Sequence, residues 1–454
     1  MKGFLYNVCP KERAVATSTV LLTDTERDQL LCDILNRELV CALGCTEPIA
    51  VAYAAALARE TLGVEPERLR VACSGNIIKN VKSVAVPNSG GMHGIEAAAL
   101  LGAIGGDASS ALEVLESVGE GDLARTRELL ATPGVCEVSL AEHVPNLYIQ
   151  VVAQADEHTA EVVIAEHHTN IVVRALDGVA QEGSLEAAQR CIDVADTVHE
   201  QDSQLSLDLI MDFARYGDIS AAREALERQI RLNTAISDEG LTNPWGAQVG
   251  KTLLASRSED ASCRARARAA AGSDARMNGC SMPVVIVCGS GNQGITACMP
   301  VVEYARKLGV SHDGLLRALA LSDLVAVHVK SYIGALSAFC GVVTAACGAG
   351  AAITWMAGGT REQVGATVVN TLGNVGGIVC DGAKSSCAAK ISAAVDAAIL
   401  GHDMAMVGRS FHAGEGLVQE TVEETIASMG YVGRVGMQPT DVEILNLMIG
   451  KTRV

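Results

Sequence analysis

Between Lys330 and Arg361 the chain carries no charged residue, and the run is rich in Ala, Gly, Val, Ser and Cys. A stretch this long and uncharged has two homes, a bilayer or the middle of a helical protein. The second is favoured, because the run is poor in the Leu, Ile and Phe that insert well into hydrocarbon. Gly348-Ala349-Gly350 predicts a break, so the expectation is a buried pair of helices. Aromatic residues make up only 3% of the 454 residues, against 45 glycines. A core of such small side chains implies closely packed helices rather than an aromatic-rich β-sandwich. The length allows two or three domains.

The rest of the chain divides by periodicity. A strand is expected near Val15–Leu22. Thr23 with Glu26 makes a capping box for a helix over Asp24–Val40, and Gly44 ends that unit. Thr46 is read as the cap of a second helix running to about Thr61, with Pro48 in its first turn. Leu69–Cys73, Ile77–Ala85, Cys136–Leu140, Leu147–Ala153 and Ala160–Glu166 read as strands, with helices at Ile95–Ile104 and Ala124–Leu130 between them. From Ser184 onward the period is helical: Leu185–His199, Leu205–Arg215, Ser220–Leu232, Gly246–Ser256, Ile295–Leu308, Asp313–His328, Ala393–Leu400 and Gly416–Met429. The expected fold class is α+β, a large all-helical domain of small-residue helices plus an inserted α/β domain with a mixed sheet. The expected boundaries are 1–64 for an N-terminal part packed on the helical domain, 65–178 for the α/β domain and 179–454 for the helical domain.

A formal net charge of −18 argues against a nucleic-acid binder or a protein of anionic membrane surfaces. Arg264, Arg266, Arg268 and Arg276 form a basic patch. It reads as the solvated face of a helix, with a hold on a substrate carboxylate or another subunit as the alternative. Met1–Val20 contains Lys2, Lys11, Glu12 and Arg13 and no uninterrupted apolar core, so no signal peptide is expected. The 15 cysteines are odd in number and unevenly spaced. They read as reduced thiols in a cytoplasmic protein rather than as a disulfide framework.

Chemistry concentrates in Gly377–Lys390, GIVCDGAKSSCAAK. Asp381-Gly382 signals a turn and Ser385 or Ser386 can cap a helix, which puts Cys380 in a loop and Cys387 in a helix's first turn. A helix N-terminus stabilises thiolates, which soft metals and iron–sulfur clusters require. Cys340 is a third thiol upstream. Zinc would call for CxxC-like pairs, which are absent. Three thiols without a fourth suit a [4Fe–4S] cluster with one open iron. The competing reading makes them small core residues, like Cys32, Cys191 and Cys263.

Four further stretches hold candidate groups. Cys288–Thr296, CGSGNQGIT, follows an apolar run and opens a helix at about Ile295. Its glycines allow close approach, and Ser290, Asn292 and Gln293 offer donors to an anion such as a carboxylate; a purely structural turn is the alternative. It is neither a Walker loop nor a dinucleotide fingerprint. In Ser74–Gly94, Asn76 falls in a turn, Lys79 and Lys82 on a strand, and His93 at the end of a polar loop. In Glu166–Asn170, EHHTN, adjacent strand histidines face opposite ways, so at most one faces a site. Cys45 precedes a helix N-terminus, which lowers a thiol's pKa and makes it a candidate base or nucleophile, against plain burial.

Together, GCTEP at 44–48, SGNIIKN at 74–80, GSGNQGI at 289–295, the Cys340 helix, CDGAKSSCAAK at 380–390 and GEGLVQETVEETI at 414–426 resemble the L-cysteine desulfidases, in the superfamily of iron–sulfur L-serine dehydratases. The resemblance runs from about Asp24 to the C-terminus. It implies an oxygen-sensitive [4Fe–4S] cluster held by Cys340, Cys380 and Cys387, and breakdown of L-cysteine to pyruvate, ammonia and sulfide without pyridoxal phosphate. The serine dehydratases space their last two cluster cysteines more widely and carry a different asparagine-bearing loop, which favours the desulfidase branch. On this reading Cys45 is the first choice of base, with Lys384 or Lys390 as alternatives. Asn76, Lys79, His93 or His168, and the loop with Ser290, Asn292 and Gln293 orient the substrate. The expected partner is a small amino acid, with no nucleic acid and no membrane, and a homodimer is left open. L-serine dehydration by the same cluster, and a non-catalytic thiol-rich metal or redox protein, are the alternatives.

Overall fold

In the computed structural model, residues 23–183, 202–257, 259–334 and 336–452 are described. The strand expected near Val15–Leu22 and the helix expected over Leu185–His199 lie outside them. The order begins α1 (Asp24–Glu38), β1 (Cys41–Leu43), α2 (Thr46–Leu62), β2 (Arg68–Cys73), α3 (Gly75–Val81), α4 (Ile95–Gly105) and α5 (Glu120–Leu130). Then come β3 (Cys136–Leu140), β4 (Tyr148–Ala155), β5 (His158–Ala165), β6 (Ile171–Leu176) and β7 (Val179–Gly183). The helical remainder is α6 (Leu207–Tyr216), α7 (Arg223–Thr242), α8 (Val249–Arg257), α9 (Ala261–Met277), β8 (Pro283–Val285), α10 (Gly291–Leu308), α11 (His312–Ser331), α12 (Val342–Met356), α13 (Arg361–Val375), α14 (Cys387–Met406), α15 (Val422–Tyr431) and α16 (Gln438–Met448). This is an α+β fold.

One sheet runs β3-β2-β4-β5-β6-β7. Its β2–β3 pair is parallel and its other pairs antiparallel, which makes it mixed. A second, two-stranded sheet pairs β1 with β8, Cys41 opposite Val285, and so ties residues before α2 to those before α10. The capping box at Thr23 forms, with Thr23 N donating to Glu26 Oε2 at 2.9 Å and Glu26 N to Thr23 Oγ1 at 3.3 Å. α1 lies against α6 and α11, while α2 runs across β4 and β5 and packs on α4. Gly102 of α4 makes that packing possible, since a Cβ there would fall 2.2 Å from Ala52 O.

The uncharged run is one helix, not two. α12 continues through Gly348 and Gly350 and is enclosed by α10, α11, α13 and α14. The glycines serve close approach instead of a break. A Cβ on Gly348 would lie 2.0 Å from Ser322 O of α11, and one on Gly350 would lie 3.1 Å from Ala398 Cβ of α14. Among the described residues no helix is long and apolar enough to cross a membrane.

Local corrections bear on the site. The strand expected over Ile77–Ala85 is instead the helix α3, capped by Ser74, whose Oγ accepts from Ile77 N. Ile77 and Val81 are buried one helical turn apart, so the alternation that suggested a strand comes from a helix and the bend after it. Lys79 and Lys82 therefore belong to a helix and its C-cap. α2 has Cys45 as its N-cap, not Thr46. α10 opens at Gly291 with Ser290 as N-cap, so Asn292 and Gln293 are in a helix's first turn rather than in a loop. The histidines of EHHTN sit in the turn between β5 and β6, not on a strand.

Candidate active site

Cys340 precedes α12, and its N–H donates to Ile378 O at 2.9 Å while Cys380 N donates to Ala338 O at 2.7 Å. This short antiparallel bridge lays the Cys340 and Cys380 segments side by side. The Cys340 thiol donates to Cys380, which pushes Cys340 up and lowers Cys380 toward the thiolate. Lys79 and Lys390 act in the same direction on Cys380, against burial. Cys387 is the first residue of α14, and its Sγ accepts from Lys384 N at 3.4 Å. The turn between the two cysteines presses on α3: at Gly382, φ 94°, a Cβ would meet Lys79 O at 2.5 Å. Only glycine suits both that conformation and that space.

Cations surround the three thiols. Lys79, 1% exposed, pairs with Asp441 of α16. Lys390 pairs with Asp381, and Lys384 Nζ donates to Lys79 O at 3.4 Å. Burial lowers the Lys384 ammonium, opposed by Asp381 and by Cys387, Cys45 and Cys380. Among the described residues no group of three His, Cys, Asp or Glu side chains is arranged to hold a single metal ion.

Beside the thiols sits a buried polar knot. Cys45 does not have the lowered pKa expected of a helix N-terminus. Complete burial and the neighbouring Glu47 carboxylate push its thiol well up, and Cys45 Sγ donates to Glu47 Oε2 at 3.1 Å. Desolvation outweighs the dipole here. Glu47 also accepts from Thr46 Oγ1 at 3.1 Å and from Asn80 Nδ2 at 2.8 Å. Thr46 Oγ1 reaches Gly289 O at 2.9 Å as well, joining α2 to the turn before α10. Arg276 is buried, not on a solvated face, and its Nε donates to Gly44 O at 2.8 Å. The other arginines of the patch are ion-paired: Arg264 and Arg268 with Glu303, Arg266 with Asp396.

On the far side of Glu47 is a cavity of about 140 Å³, lined by Glu38, Glu47, His168, Ser290, Gln293 and Lys330 among others. Drug-sized ligands occupy ~300–1,000 Å³, so this space suits a small metabolite. Gln293 links the cavity to the thiols, because a Cβ on Gly341 would lie 2.6 Å from its Cδ. His167 lines the cavity too. Both histidines of EHHTN therefore face it, against the expectation of at most one, because a turn does not impose a strand's alternation.

The family model for the serine dehydratase alpha chain matches residues 142–446. A UPF0597 protein of Lachnoclostridium phytofermentans is 50% identical over 417 residues, covering 92% of this chain and 98% of its own. One of Finegoldia magna is 48% identical over 422 residues, covering 92% of this chain and 99% of its own. The chain belongs to the serine dehydratase alpha chain family. Within this family member the matched region contains the three thiols, Lys384, His168, Ser290, Asn292 and Gln293, whereas Cys45, Glu47, Asn76, Lys79 and His93 precede it.

The structure gathers these residues unevenly. Ser290, Gln293 and His168 share the cavity. Cys45, Lys79 and Lys384 stand with the thiols. Asn292 is buried, with its Oδ1 unpartnered. Asn76 lies in a separate groove under α16, its Nδ2 donating to Asn146 Oδ1 at 3.3 Å. His93 is exposed, in a third groove that Lys384 and Ser385 also line. Sequence reasoning missed Asn80, Glu47, Lys330 and Asp441, and read Arg276 only as one member of the basic patch. Arg276 did leave a signal, as a cation at the end of the small-residue run Ala269–Ala275 in α9.

Proposed function

We propose that this family member is a [4Fe–4S]-dependent, pyridoxal-phosphate-free lyase acting on a small α-amino acid. L-cysteine is the first substrate, and pyruvate, ammonia and sulfide are the products. The carrying observation is the convergence of Cys340, Cys380 and Cys387 within a ring of lysines. The donor set fits such a cluster: three soft ligands, one already favoured as thiolate, and cations to offset the negative charge. Ligands of a cluster bind separate irons, so they need not crowd as the ligands of a single ion do. What the cluster supplies when bound is a Lewis-acidic iron, open to substrate, that polarises the leaving group.

The chain's own residues do the rest. Ser290 and Gln293, at the N-terminus of α10, hold the substrate carboxylate. Lys384, half-buried beside the thiols, takes the α-proton in its neutral form. The electron pair of the Cα–H bond forms the Cα=Cβ bond as the Cβ–S pair departs with sulfur. The released aminoacrylate tautomerises to an imine, and water hydrolyses it to pyruvate and ammonia. Cys45, protonated and bonded to Glu47, is a hydrogen-bond donor in this scheme rather than the base.

The description of the matching family model favours a second reading, L-serine dehydration. It differs only in the leaving group, hydroxide in place of thiolate. Anaerobic assays for pyruvate with each substrate separate the two. The first reading expects a higher kcat/KM for L-cysteine, the second for L-serine, and no pyruvate from either sinks both.

A further inference from the structure

Glu47 is a buried carboxyl with no ion pair among the described residues. It is 9% exposed, and the rise in pKa that burial causes is opposed by the Cys45 hydrogen bond and by Arg276. Among the described residues its hydrogen-bond partners are the neutral donors Cys45, Thr46 and Asn80. Arg276, whose charge also acts on Glu47, donates its Nε–H to Gly44 O. A buried carboxylate without a paired cation is costly, and this one faces a cavity.

A second buried group in the same cavity is also unsatisfied. His168 Nε2 is buried and has no hydrogen-bond partner. Burial holds the ring neutral despite Glu47, so the imidazole keeps one nitrogen as an acceptor. The ring rests on the turn before α10, where a Cβ on Gly289 would lie 2.9 Å from His168 Cε1. Ser290, Gln293 and Lys330, with the N-terminal end of α10, bring donors and a cation to the same lining. Two further carboxylates of the lining, Glu38 and Asp202, are paired with Arg37. A zwitterion complements a lining that offers both an anion without an ion pair and donors.

We infer that Glu47 is the ammonium anchor of the cavity, with His168 as second acceptor, so that the site selects α-amino acids over their des-amino analogues. This rests on the reading of the cavity as the substrate pocket. The consequence is specificity: a carboxylic acid that keeps the leaving group but lacks the amine leaves Glu47 uncompensated and is rejected.

The test is calorimetric titration of the anaerobically purified protein with L-alanine, which has no leaving group, and with propanoate, its des-amino counterpart. The wild type should bind L-alanine about tenfold or more tighter than propanoate, a difference of ~1.4 kcal/mol or more. Glu47→Gln, close in shape, should lose that preference, with thermal unfolding confirming that it folds. Equal binding of the two ligands by the wild type overturns the inference without reference to any variant. So does failure of the wild type to bind L-alanine, or full retention of the preference in Glu47→Gln. Pyruvate formation without ammonium selectivity would leave the lyase standing and remove the anchor. Glu47-dependent binding with no pyruvate from L-cysteine or L-serine would do the reverse.

Discussion

Cys45 stands before α2 as expected, but with its thiol pKa raised where a helix N-terminus predicts a lowered one. Its position before α2 was legible from GCTEP, because Gly44, Thr46 and Pro48 mark a helix start. Its protonation state was not, because that depends on full burial and on Glu47, held in turn by Asn80 from α3. A lost general base costs ~10²–10⁴-fold in rate, so Cys45→Ser discriminates. A serine hydroxyl still donates to Glu47, and turnover should stay within about tenfold of wild type, well short of a lost base. A loss beyond that range in a variant that keeps its cluster absorbance would restore the thiolate base. Asp323 is a second buried carboxyl, on α11, accepting from Gln229 Nε2 at 2.9 Å. Burial raises it from 3.8 to about 8. Because the folded state binds the proton more tightly, its contribution to stability is complete below the unfolded pKa and is lost as pH rises toward 8. Asp323→Asn, which keeps the Gln229 bond, should raise the melting temperature, and the gain should be larger at alkaline than at acid pH. An equal shift at both would contradict the raised pKa.

Among the elements, helices with strong caps and strands with clean alternation were legible, as at Thr23 and β4. α3 was not, because its apolar residues lead directly into the buried Val84 and Val86. The uncharged run was legible as buried, but its glycines mark a helix crossing. Gly348→Ala would drive a methyl against the Ser322 carbonyl oxygen at 2.0 Å. Overpacking costs ~1–3 kcal/mol, and with a backbone atom as the obstacle the upper end is expected in denaturant unfolding. A neutral result would mean that α11 and α12 are less closely opposed. The docking of α16 was not legible, since it rests on contacts between residues far apart in the chain, Lys79 with Asp441, Lys82 Nζ with Met448 O, and Gly75 against Leu445. Asp441→Asn leaves a buried ammonium unpaired, and breaking such a pair costs ~3–5 kcal/mol. Loss of less than about 1 kcal/mol, the scale of an exposed pair, would show that Lys79 is solvated.

For the whole molecule, the mixed sheet and the helical remainder follow from periodicity, and the three cysteines were legible as a set. The cavity was not, because its walls come from α1, α2, the β5–β6 turn, α10 and α11, and no local pattern encodes that meeting. A site assembled this way couples ligand binding to global stability. Loading of the cluster should raise the melting temperature, and exposure to air should lower it as thiolates oxidise. The central claim is that Cys340, Cys380 and Cys387 hold a [4Fe–4S] cluster. Its most direct measurement is the iron and acid-labile sulfide content of the anaerobically purified chain, beside Cys340→Ser, Cys380→Ser and Cys387→Ser variants. The account predicts iron and sulfide in equal amounts in the wild type, and a marked loss of both in each folded variant. A wild type without iron and sulfide, or variants that keep the full content, would contradict it.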